Sequence, residues 1–245
     1  MRGSHRPRKR FGQHFLHDPR VLARLVSEIR PTKDDVMVEI GPGEGALTEP
    51  LLETLERLHA VEIDRDLAAR LSERFGDRLV VHQADALEFD FSGLAADLRV
   101  VGNLPYNIST PLLFHLARQG RRIRDMHFML QLEVVERMVA APSTAAYGRL
   151  SVALQAAFRM TKLFHVAKGA FRPPPKVESA VVRMQPLAEP LAIDEDLLRR
   201  AFSSRRKTLR NALGNVDFAA LGIDPGWRPE NLSPQDYARI SASSR

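Results

Sequence analysis

The 245-residue sequence contains no cysteine, which excludes disulfides, thiolate metal sites and a cysteine nucleophile together. Its apolar runs all fall short of the eighteen or so residues of a membrane span, and its basic start is not followed by a signal-peptide core. A cytoplasmic protein with no membrane partner is expected. None of the eight histidines shows zinc-ligand spacing and no serine stands in a nucleophile-elbow motif. Metal sites are therefore expected to be none, and acyl transfer has no candidate residues.

What is present is enough apolar sequence, 44%, for a packed core, in a length that suits one substantial domain plus a small appendage. A formal charge of +6 and a pI near 10.0 make a polyanion a plausible partner. The distribution of that charge strengthens the point. Basic residues gather at Arg6, Arg8, Lys9 and Arg10, at Arg118, Arg121, Arg122 and Arg124, and at Arg205, Arg206, Lys207 and Arg210, a clustering that favours nucleic acid.

From Val36 to about Arg99, short β-branched runs alternate with helical periodicity, the pattern of parallel strands joined by helices. Strands are expected at Val36–Ile40, Ala60–Ile63, Leu79–His82 and Leu98–Val101, with helices at Thr48–Leu58 and Arg65–Phe75. Ser109 caps a further helix with Pro111 in its first turn and Leu112, Leu113 and Leu116 facing inward. Beyond it come a strand at Met126–Leu130, helices near Leu132–Ala140 and Tyr147–Phe158, and strands near Leu163–Val166 and Ser179–Met184. After Pro186 and Pro190 only helical signals remain, at Leu197–Phe202, Lys207–Leu213 and beyond Pro234. The expected architecture is α/β, a Rossmann-like sheet with helices on both faces plus a small all-α C-terminal domain. The expected divisions are residues 1–35 as basic arm and first helix, 36–185 as catalytic domain and 186–245 as helical domain.

Gly41-Pro42-Gly43-Glu44-Gly45 lies between the first expected strand and the first helix of that sheet, where glycines let the backbone turn and approach a ligand closely. Gly41, Gly43 and Ala46 also fit the dinucleotide pattern, with Glu62 and Asp64 about 20 residues on, so a nicotinamide dehydrogenase is one reading. Asp85, in Ala84-Asp85-Ala86 after the third strand, favours another. A carboxylate there can accept from an adenine amino group while Glu62 accepts from ribose hydroxyls. Acids at successive strand ends suit S-adenosyl-L-methionine, which carries a cationic sulfonium and no pyrophosphate.

Directly after Leu98–Val101 and Gly102 stands Asn103-Leu104-Pro105-Tyr106, whose residue types suit chemistry on an exocyclic amine. The lone pair of adenine N6 is delocalised into the ring, so the nitrogen must be held and made less planar before it attacks a methyl group. The Asn103 side-chain oxygen and the Leu104 carbonyl, kept outward by Pro105, can each accept one N–H, and Tyr106 offers a face for a flipped-out base.

Several segments now stand in order: Phe11-Gly12-Gln13-His14-Phe15-Leu16, Val38-Glu39-Ile40-Gly41-Pro42-Gly43, Val61-Glu62-Ile63-Asp64, Gly102-Asn103-Leu104-Pro105-Tyr106-Asn107-Ile108-Ser109 and Phe171-Arg172-Pro173-Pro174-Pro175-Lys176-Val177. Together they resemble the ribosomal RNA adenine N6,N6-dimethyltransferases, and most of all their bacterial small-subunit, kasugamycin-resistance branch. The resemblance spans about Arg8 to Met184, and Arg205-Arg206-Lys207-Thr208-Leu209-Arg210-Asn211 extends it. It implies a class I methyltransferase sheet and S-adenosyl-L-methionine bound at His14, Leu16, Gly41, Gly43, Glu62, Asp85, Ala86 and Asn103. His14 stands where the family usually has Asn. It further implies that Phe171 and Tyr106 sandwich the target adenine, with Asn103, Leu104 and Pro105 completing the catalytic set. The substrate implied is a pair of adjacent adenosines in a hairpin loop near the 3′ end of small-subunit rRNA, within an assembling small ribosomal subunit, and the default state is a monomer.

Two further readings belong to other branches or classes. A large-subunit rRNA adenine methyltransferase of the macrolide-resistance type shares the fold and motif, but Tyr147-Gly148-Arg149-Leu150-Ser151 and the basic helical domain favour the small-subunit branch. A mainly non-catalytic ribosome-assembly factor would not require Glu62, Asp85 and Asn103 to be intact.

Overall fold

A computed structural model describes residues 13–105, 108–204 and 206–243; expectations placed on the basic arm, on Phe11, Gly12, Tyr106 and Asn107, and on Arg205 lie outside these residues. The elements in chain order are β1 (Phe15–Leu16), α1 (Pro19–Ile29), β2 (Met37–Ile40), α2 (Thr48–Leu52), β3 (Leu58–Glu62), α3 (Arg65–Phe75), β4 (Leu79–Gln83), β5 (Leu98–Asn103) and α4 (Ser109–Ala117). They continue with β6 (Ile123–Gln131), α5 (Leu132–Val139), α6 (Arg149–Gln155), β7 (Phe158–Val166), β8 (Phe171–Arg172), β9 (Ser179–Pro186), α7 (Glu195–Ser203), α8 (Leu209–Leu213) and α9 (Pro234–Ser243). The main sheet has seven strands in the order β4-β3-β2-β5-β6-β9-β7, and β1 pairs with β8 in a separate two-stranded sheet. Strands β2 to β6 run parallel, and β9 returns antiparallel to β6.

The described residues divide into two compact units, one running to Val135 and including Thr161–Gln185, the other comprising Glu136–Met160 and the residues from Pro186 onward. In the first, Leu51, Leu58, Met37 and Val101 are fully buried beside Leu25 and Ile29 of α1. Each such side chain contributes about 1.5–3 kcal/mol relative to exposure. Helix α1 begins where Asp18 accepts from the N–H groups of Arg20 and Val21 at 2.8 and 3.3 Å, and Pro19 opens its first turn.

The amino ends of the parallel strands are held by one buried cation. Register places Arg99 of β5 beside Met37 of β2 and Asp125 of β6. Its guanidinium donates twice to the Asp125 carboxylate, at 2.8 and 3.0 Å, and once to Asp35 at 2.8 Å. It also donates to the carbonyls of Ile29 and Arg30 at 2.6 and 3.2 Å, satisfying oxygens that the end of α1 leaves open.

Several expectations need correction. The helix expected over Thr48–Leu58 stops at Leu52, because the Arg78 guanidinium takes the Leu52 carbonyl, and that of Leu55 at 3.0 Å, leaving Leu58 to open β3. The helix expected over Tyr147–Phe158 is α6 alone, and Phe158 already belongs to β7, which extends well ahead of Leu163. Residues 136–160, assigned from sequence to the catalytic domain, pack in the second unit. There the Tyr147 hydroxyl donates to the Leu232 carbonyl at 2.9 Å, and Tyr147, Val152, Leu197, Leu209 and Tyr237 share one core. Gln155 ties α6 to the Met138 and Ala140 carbonyls at 2.9 and 2.8 Å.

Candidate active site

Strand β2 has β3 on one side and β5 on the other, and the chain leaves it in opposite directions, so a crevice opens at their carboxyl ends, as in other doubly wound sheets. Gly41 and Gly43 line it with φ of +66° and +58°, values that favour glycine. Gly43 is also needed for space, since a Cβ there would sit 2.9 Å from the Phe15 ring. The crevice is a cavity of about 300 Å³, at the lower end of the range for small-molecule sites. Among its lining residues are His14, Leu16, Gly41, Gly43, Glu62, Asp85, Ala86, Asn103, Leu104 and Pro105, so residues separated widely in sequence meet in one place.

Glu62 closes β3 and is held by backbone donors. Its Oε1 accepts from Asp64 N at 2.9 Å and its Oε2 from Gly43 N at 3.2 Å. Burial raises its pKa, and those two N–H groups oppose the rise. Asp85 turns after β4, its Oδ1 accepting from Leu87 N at 2.9 Å. Sequence reasoning missed Glu39 as a functional candidate. It is buried in the cavity wall, and its Oε2 accepts from the Thr48 hydroxyl at 2.6 Å. Burial pushes its carboxyl up to about 7, with the Thr48 hydroxyl working against the shift and the Glu62 charge adding to it. The signal was there: a lone acid inside the apolar strand Met37-Val38-Glu39-Ile40. Among the described residues no arginine or lysine lies within ion-pair distance of Glu39 or Glu62.

Asn103 ends β5, and its Nδ2 donates to the His14 carbonyl at 2.8 Å. Because a carbonyl can only accept, this contact fixes the amide's orientation and directs Oδ1 away from it. Leu104 is buried, and its N–H donates to the Met129 carbonyl at 3.1 Å, which fixes the Asn103–Leu104 peptide plane. His14 is itself held by an Nδ1 contact of 2.8 Å with the Pro173 carbonyl. Leu16 is buried opposite Phe171 in the β1–β8 pair. Phe171, expected to stack on the base, is 1% exposed, packed with Leu16, Val166 and Val181, and is not among the residues lining the cavity.

The glycine turn, a cavity of small-molecule size and a wall of buried acids without counter-cations fit a cationic nucleoside better than a ligand carrying pyrophosphate. The sheet order and this site define a class I S-adenosyl-L-methionine-dependent methyltransferase. The model of one family, ribosomal RNA adenine dimethylase, matches residues 4–244. The chain is 60% identical over 248 residues to the "Ribosomal RNA small subunit methyltransferase A" of Aromatoleum aromaticum, covering 97% of this chain and 94% of that one. It is 59% identical over 249 residues to the protein of the same name from Thiobacillus denitrificans, covering 97% and 98%. Among solved structures, a dimethyladenosine transferase from Plasmodium falciparum superposes with a TM-score of 0.80 at 26% identity, covering 93% of this chain and 96% of that one. The 23S rRNA methyltransferase ErmE gives 0.73 at 25% identity, with coverage of 94% and 100%. The chain belongs to the ribosomal RNA adenine dimethylase family. It is thus an rRNA adenine dimethyltransferase whose cofactor is S-adenosyl-L-methionine.

Proposed function

We propose that this enzyme dimethylates N6 of two adjacent adenosines in a 3′-terminal hairpin loop of small-subunit rRNA during small-subunit assembly, acting as a monomer in the cytoplasm. The small-subunit target is supported by relatives of 54–60% identity that carry the small-subunit name; the 23S enzyme stands at 25%. No helix among the described residues is long and apolar enough to cross a membrane.

One observation carries the mechanism: the donation from Asn103 Nδ2 to the His14 carbonyl, which leaves the amide oxygen to accept. Asn103 Oδ1 and the Leu104 carbonyl each accept a hydrogen bond from one N6 N–H and draw the amine out of the ring plane, raising its nucleophilicity. Pro105 keeps that carbonyl outward, and Tyr106 provides the stacking face. S-adenosyl-L-methionine, when bound, supplies an electrophilic methyl group. His14, Leu16, Gly41, Gly43, Glu62, Asp85 and Ala86 hold it. No strong base is required, because a nitrogen that has gained a methyl group sheds its proton readily, so positioning and electrostatics supply most of the acceleration. After one transfer a single N–H remains, and the pocket must admit the first methyl near Asn107 and Ile108. The second unit and the basic clusters grip the rRNA through its phosphates.

The test is to incubate the protein with methyl-labelled S-adenosyl-L-methionine and small subunits lacking these modifications, then digest the RNA and identify the labelled nucleosides by mass spectrometry. Dimethyladenosine from small-subunit rRNA is expected. Label confined to large-subunit rRNA, or no label despite cofactor binding, would overturn the proposal.

A further inference from the structure

Trp227 is the chain's single tryptophan, and it is 46% exposed in the unit formed by residues 136–160 and those from Pro186 onward. A lone exposed apolar side chain is ordinary. Its setting is not. The Trp227 carbonyl accepts from Leu209 N at 2.7 Å, and the Pro225 carbonyl accepts from Arg210 N at 3.1 Å, so the turn bearing the indole is bonded to the start of α8. That turn is rigid. Gly226 N donates to Asp224 Oδ1 at 2.7 Å, Trp227 N to the Asp224 carbonyl at 3.1 Å, and Arg228 N to Asn231 Oδ1 at 2.8 Å.

Cations stand on both sides of it in the chain. Arg206, Lys207 and Arg210 on the α8 side and Arg228 beside the indole are all exposed. Among the described residues no carboxylate lies within ion-pair distance of any of the four. The acid of the turn, Asp224, spends one oxygen on Gly226 N. Exposed cations without partners around a rigid, half-exposed aromatic ring are the two components of a single-strand nucleic-acid site: the cations follow the phosphates and the ring stacks a base.

We propose that Trp227 is a base-stacking platform for rRNA, with Arg206, Lys207, Arg210 and Arg228 taking the flanking phosphates of an unpaired strand. The inference rests on the rRNA-binding reading above and adds to it a contact with a base, in the unit remote in sequence from Asn103. The stack is tolerant of base identity, since every base has a π-face. It makes the second unit select unpaired strands over duplex, because a base within a helix cannot reach the indole.

The single tryptophan makes the test direct. The full chain is titrated with protein-free, unmethylated small-subunit rRNA transcript, reading filter retention, indole emission excited near the red edge, and quenching by acrylamide. The expected result is that bound rRNA quenches Trp227 emission and shields it from acrylamide. Trp227→Ala then weakens binding roughly tenfold or more while leaving the dependence on salt unchanged, and Trp227→Phe restores most of the loss. Lys207→Ala should do the opposite, lowering the salt slope by about 1. If rRNA is retained with full affinity while emission and acrylamide access stay as in the free protein, the platform is refuted and the rRNA reading stands. If the transcript is not retained at all, both fall. A change of emission with small-subunit proteins but not with rRNA would also refute it, in favour of a protein partner.

Discussion

At the amino ends of the parallel strands, Asp35 and Asp125 are buried at 6% and 4% exposure, and Arg99 lies between them. At the carboxyl ends, Glu39 and Glu62 are buried as deeply, at 2% and 4%, with no cation in reach among the described residues. The consequences are opposite. Although burial alone would raise it, the Thr32 N–H and the Arg99 and Arg124 guanidiniums hold the Asp35 carboxyl below its ordinary range, whereas burial drives Glu39 up to about 7. A buried ion pair with its hydrogen bonds complete serves the fold. Buried acids supported only by N–H and O–H donors leave unsatisfied negative charge, which a bound cation satisfies. One sheet thus has a clamped end and a receptive end, and the cavity is at the receptive one.

The largest effect is expected at the clamp. Arg99→Met leaves Asp35 and Asp125 buried without their shared partner, and we expect a loss of about 3–5 kcal/mol in urea unfolding. A loss below about 1 kcal/mol would mean that the network is ornamental. At the receptive end, Asn103→Ala removes the acceptor we propose for the reacting amine and should lower kcat about 100- to 1000-fold, with cofactor affinity changed only a few-fold. Lost cofactor affinity with kcat unchanged at saturating cofactor would make Asn103 a cofactor-binding residue alone.

Glu39 sharpens the contrast through pH. Its folded pKa is above its unfolded value of 4.5, so the stability it contributes is complete below pH 4.5 and is lost as pH rises through about 7. Glu39→Gln should therefore stabilise the cofactor-free protein by about 1–3 kcal/mol at pH 8 and by little at pH 5. A pH-independent effect would contradict the assignment. On the acid side, His127 is buried beside Arg99, Arg183 and Asp125, and burial lowers its pKa to about 4. Neither ring nitrogen meets a hydrogen-bond partner among the described residues. Stability from keeping it neutral is present above pH 6.5 and is lost as pH falls towards 4, and His127→Phe should flatten that limb in thermal unfolding.

Much of the receptive end was legible in the sequence because its signals are local. The turn Gly41-Pro42-Gly43, the acids Glu62 and Asp85 after their strands and the run Asn103-Leu104-Pro105 all announce themselves within a few residues. The clamp was not legible. Arg99 and Asp125 meet only through strand register, and Asp35 joins them from a loop far along the chain. The same reason hid the His14 carbonyl behind Asn103 and the burial of Phe171 against Leu16, since both depend on β1 pairing with β8. Residues 136–160 were misassigned because their partners, among them Leu232 and Tyr237, lie some eighty residues away and nothing in local periodicity points to them.

The most direct measurement is calorimetric titration of S-adenosyl-L-methionine into the wild-type chain, Glu62→Gln and Asp35→Asn, with NAD as the control ligand. One site is expected in the wild type, with about tenfold weaker binding in Glu62→Gln, unchanged affinity in the folded fraction of Asp35→Asn, and no heat with NAD. Wild-type affinity in Glu62→Gln, or NAD binding as tightly as S-adenosyl-L-methionine, would contradict that expectation.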